Sequence, residues 1–65
     1  MGEYKFKIGQ LVHFYPRGAG RVDTALGLYQ ITRRLPAEDG EFRYEIRNTL
    51  EEHDRVARES ELTRT

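Results

Sequence analysis

Two segments, GLYQITRRL (27–35) and EFRYEIRN (41–48), alternate large apolar with polar residues. That period of two is the signature of a strand with one buried face. Tyr29, Ile31 and Leu35 share one face of the first segment, and Phe42, Tyr44 and Ile46 share one face of the second. Pro36, Ala37, Glu38, Asp39 and Gly40 lie between them, where Pro presets φ and Gly accepts a left-handed backbone. The pattern therefore predicts an antiparallel hairpin. Arg33 falls among the apolar positions, so the strand is bulged there or lies at a sheet edge.

The opening YKFKIGQLVHFYP also alternates and predicts a first strand with an entry segment: Gly9 breaks the run, Gln10 to Tyr15 resume it, and Pro16 ends it. If Val12 faces inward then Phe14 does too, which turns Leu11, His13 and Tyr15 outward. Residues 17–26 keep no clean period and read as a long loop. Beyond Asn48, the apolar residues Leu50, Val56, Ala57 and Leu62 are too few for a helix that covers a core. A turn at 50–53, a strand at 54–58, one helical turn at 59–62 and a short last strand fit better. The expected core is Phe6, Ile8, Val12, Phe14, Tyr29, Ile31, Leu35, Tyr44, Ile46, Val56 and Leu62.

Size narrows the picture. A chain of 65 residues is expected to form one domain, 1–65, close to the lower limit for a single core. With 37% hydrophobic residues, nearly every large apolar side chain is needed inside. Eleven basic and eleven acidic residues cancel, so no global field draws in nucleic acid or an anionic membrane. There is no cysteine, which removes disulfides, thiolate metal sites and cysteine nucleophiles. No run approaches the about 20 apolar residues of a membrane span, and the N-terminal MGEYKFKIG lacks the apolar run of a signal peptide. A cytoplasmic protein is expected.

The segments FKIGQLVHF, GLYQITRRLP, GEFRYEIRN and RVARESEL together resemble small uncharacterised bacterial proteins with an SH3-like β-barrel. The resemblance covers most of the chain outside 16–26. It implies an all-β fold: a small, partly open barrel of four to five antiparallel strands with a short helical turn near the C-terminus. IGQLV is also similar to the opening of KOW-type domains, although RGAGRV does not supply their second glycine turn. Tudor- and chromo-type domains use an aromatic cage, but Phe14, Tyr15, Tyr29 and Tyr44 lack the accompanying acidic cluster.

Candidate chemistry is sparse. Arg34, Arg43 and Arg47 lie on the expected polar face of the hairpin with Gln30, Thr32 and Glu45. They can grip phosphate, or they can form a solvated cross-strand charge ladder. Arg17 and Arg21 bracket the glycines of RGAGR and can approach a phosphate backbone, or simply lie on a surface loop. Tyr15 beside Pro16 is an expected exposed ring near the loop. His53 has carboxylates on both sides but no second histidine within reach, so no metal is expected. Ser60, the sole serine, has no histidine to activate it, and no cofactor motif is present. The chain therefore reads as a non-enzyme. A protein-interaction or accessory module comes first, an RNA- or DNA-binding module second, and a self-associating structural protein third.

Overall fold

The computed structural model describes residues 3–16 and 27–65. Five strands form one antiparallel sheet: β1 (Leu11–Phe14), β2 (Leu28–Glu38), β3 (Glu41–Asn48), β4 (Asp54–Arg58) and β5 (Leu62–Arg64). A 3-10 turn, Glu59–Glu61, separates β4 from β5. The order across the sheet is β4-β3-β2-β1-β5, so the last strand returns to the first. The sheet is open, with β4 and β5 at its edges. Among the described residues no helix is long and apolar enough to cross a membrane.

The hairpin is tighter than its sequence suggests. β2 runs through Pro36 to Glu38, leaving only Asp39 and Gly40 in the turn. Both have positive φ, 57° and 78°, which matches the twist of the flanking strands in a two-residue turn. Pro36 is tolerated within the strand because the register shifts between Leu35 and Glu38, so no ladder bond needs its missing N–H. A second shift falls between Ile31 and Arg33. The extra residue is Thr32, so the strand is bulged beside Arg33, and β2 is interior rather than an edge.

That bulge reverses the facing of everything after it. Ile31 pairs with Ile46 on the buried face, but beyond the extra residue it is Arg34 that pairs with Tyr44, and Leu35 pairs with Arg43. Paired residues share a face. Leu35, expected in the core, is instead half-buried opposite an arginine.

The buried residues are Phe6, Val12, Phe14, Tyr29, Ile31, Tyr44, Ile46, Ala57 and Leu62, with Tyr4 and Phe42 packed against them. Two further expectations fail. Val56 is 56% exposed because it pairs with Glu45 on the outer face, and Ala57 takes the inward place opposite the large Tyr44 ring. Ile8 is 59% exposed because residues 3–10 are not a strand. The chain turns at Gly9, whose φ is +93°. The Gly9 N–H donates to the Ile31 carbonyl at 2.7 Å, and the Ile31 N–H donates to the Gln10 carbonyl at 2.9 Å. Ile8→Ala is accordingly expected to change stability by no more than about 0.5 kcal/mol. Denaturant unfolding that gave a loss of core size would contradict this placement.

Candidate functional site

The bulge in β2 divides the arginines that the alternating pattern puts on one face. Arg43 and Arg47 remain on the outer face of β3, where Arg33 joins them by pairing with Glu45. Arg34 turns to the other side, and its guanidinium carbon lies 4.9 Å from the centroid of the Tyr4 ring. The expected arginine face therefore contains Arg33 in place of Arg34. Arg17 and Arg21 lie outside the described residues.

Each outer-face arginine of the hairpin has its own carboxylate. Arg47 Nε donates to Asp54 Oδ1 at 2.8 Å. Arg33 Nε stands 3.4 Å from Glu45 Oε1, and a terminal nitrogen of Arg43 stands 3.3 Å from Glu38 Oε1. Arg43 Nε also donates to the Pro36 carbonyl at 3.2 Å. Such exposed pairs contribute little to stability. They do neutralise the face, which now reads as a cross-strand ladder of alternating charge.

On the opposite face the sequence hid a polar contact. The Tyr44 hydroxyl donates to Glu59 Oε2 at 2.5 Å and accepts from the Lys5 and Phe6 N–H groups at 2.9 and 3.2 Å. The Lys5 N–H also reaches Glu59 Oε2 at 2.9 Å. Burial, reinforced by the Glu59 carboxylate, pushes the Tyr44 hydroxyl up from 10.0 to about 12, although the two amides pull the other way. Above this contact Tyr4 stacks on Phe42 with centroids 4.1 Å apart, and its hydroxyl donates to the Leu35 carbonyl at 2.8 Å. The N-terminal segment is thus held to β2, β3 and the 3-10 turn at once. One signal pointed there: a tyrosine at a fully inward strand position needs a partner for its hydroxyl.

The other candidates are dispersed. Tyr15 is half-buried rather than exposed, and its N–H donates to the Glu61 carbonyl at 2.7 Å. Phe14, Tyr29 and Tyr44 are core residues and line no cage. His53 Nε2 lies 3.8 Å from Glu51 Oε1, and Arg55 Nε lies 3.6 Å from the same oxygen. No group of metal-ligating residues comes together among the described residues. The Ser60 N–H donates to Glu41 Oε2 at 2.7 Å, an arrangement that ties the 3-10 turn to β3. Comparison with protein-family models, with curated proteins and with solved structures finds no match for this chain.

Proposed function

We propose that this chain is a non-catalytic binding module that works by contacting another protein. Its strand order β4-β3-β2-β1-β5, with a 3-10 turn before the strand that rejoins β1, supports an SH3-like barrel as the underlying fold. The observation that carries the functional reading is the pairing of Arg33, Arg43 and Arg47 with carboxylates. A phosphate backbone would have to displace those acids. Among the described residues the edges β4 and β5 each have one strand neighbour, and an open edge can accept a further strand through its main chain. Cytoplasmic location remains part of this reading.

Titration of the labelled protein with mixed-sequence single-stranded RNA tests it, followed by amide shifts at low and at physiological salt. No clustered shifts are expected at Arg34, Arg43 or Arg47. Capture on the immobilised chain is expected to retain a specific protein at raised salt. RNA shifts clustered on those arginines and fading steeply with salt would overturn the reading in favour of nucleic acid.

A further inference from the structure

We infer that the partner at the free edge of β4 is a second copy of this chain, paired antiparallel about Val56; this rests on the protein-contact reading above. The backbone sets the geometry. The Arg58 N–H donates to Glu61 Oε1 at 2.8 Å, so it points away from β3. Main-chain groups alternate in direction along an antiparallel strand. Those of Val56 and Asp54 therefore also point outward, where no described strand meets them. A two-fold axis at Val56 makes the two Val56 residues exchange both of their main-chain hydrogen bonds. Asp54 then stands opposite Arg58 of the second copy on either side.

The side chains suit that axis. Asp54, Val56 and Arg58 share the outer face, opposite Arg47, Glu45 and Arg43 of β3. Read against its own reverse, the row places acid against base, valine against valine, and base against acid. Val56, 56% exposed, gains an apolar neighbour. Arg58 has no ion-pair partner among the described residues, whereas Asp54 already holds Arg47 and would bridge two guanidinium groups. Arg55, on the other face, is paired with Glu51 and brings no uncompensated charge. β4 also pairs with β3 without a register shift, so no bulge interrupts it; Glu61 holds the Arg58 N–H, which leaves the main-chain groups of Val56 and Asp54 to carry the ladder. The other edge lacks this symmetry: about Thr63, β5 would set the buried Leu62 against Arg64.

A contact of five residues a side is small, so association is expected at high protein concentration. Light scattering should show the mass rising with concentration from 7.7 kDa toward twice that value. Asp54→Arg opposes two cations and Arg58→Asp opposes two carboxylates. Each is expected to weaken association at least about tenfold, because the two-fold counts every pair twice. An equimolar mixture of these two variants restores opposite charges at both positions and should regain the dimer. Val56→Lys, an exposed outward substitution, should also abolish it and serves if a charge variant does not fold. A wild-type chain that stays at 7.7 kDa throughout, or a dimer that survives all three substitutions, overturns the inference. Such a chain that still captures a protein at raised salt leaves the broader reading standing, while salt-dependent RNA shifts would remove that reading whatever the mass.

Discussion

Ile46→Ala is expected to lower the unfolding free energy by about 2–5 kcal/mol, the range for truncating a buried isoleucine. Ile46 is fully buried and pairs with the equally buried Ile31 across the centre of the sheet. The loss has two parts: the transfer free energy of the missing methyl groups and the cavity that remains. Ile31 is held opposite by ladder pairing on β2 and Tyr44 lies two residues away along β3 itself, so the cavity cannot easily collapse. Domains are stable by only about 5–15 kcal/mol, and a chain this small sits toward the lower end. Denaturant unfolding should therefore show a much lower midpoint with an unchanged slope, or a variant unfolded without denaturant. A cost below about 1 kcal/mol would contradict the facing of β3.

Tyr44→Phe is expected to cost about 1–3 kcal/mol at neutral pH, although it removes a single oxygen. The ring can keep its edge-to-face contacts with Phe6 and Tyr4. What disappears is the donor to Glu59 and the acceptor for the Lys5 and Phe6 N–H groups. The same hydroxyl makes stability depend on pH. Because folding raises its pKa from 10.0 to about 12, the folded chain keeps a proton that the unfolded chain has released within that window. The contribution is complete below pH 10.0 and is lost as pH rises toward about 12. The loss amounts to at most about 2–3 kcal/mol. Unfolding measured across that range should show the gap between wild type and Tyr44→Phe shrinking as pH rises. A gap that stays constant would mean that the hydroxyl titrates alike in both states.

These two residues also show how far the pattern of residue types carries. Tyr44 and Ile46 alternate with Arg43, Glu45 and Arg47, and a period of two assigns their faces without further information. The strand at 54–58, the helical turn after it and the short last strand were legible for a similar reason: charge and a scarcity of apolar residues leave no helix to form. Asp39–Gly40 marked the turn by its tolerance of positive φ.

Local pattern alone determined that this chain is all-β, which segments make strands from residue 11 onward among the described residues, and which residues of β1 and β3 face inward. Tertiary structure decided the rest, because the remaining choices depend on register. The bulge between Ile31 and Arg33 moved Arg34 onto the Tyr4 side and Leu35 onto the outer face. The pairing of β4 with β3 sent Ala57 inward opposite Tyr44 and Val56 out opposite Glu45, against their relative hydrophobicity. The Tyr44–Glu59 contact joins residues fifteen apart, with Lys5 and Phe6 arriving from farther still. A one-residue slip turns every later side chain to the opposite face. Composition cannot register that slip; only the hydrogen-bonded neighbour can.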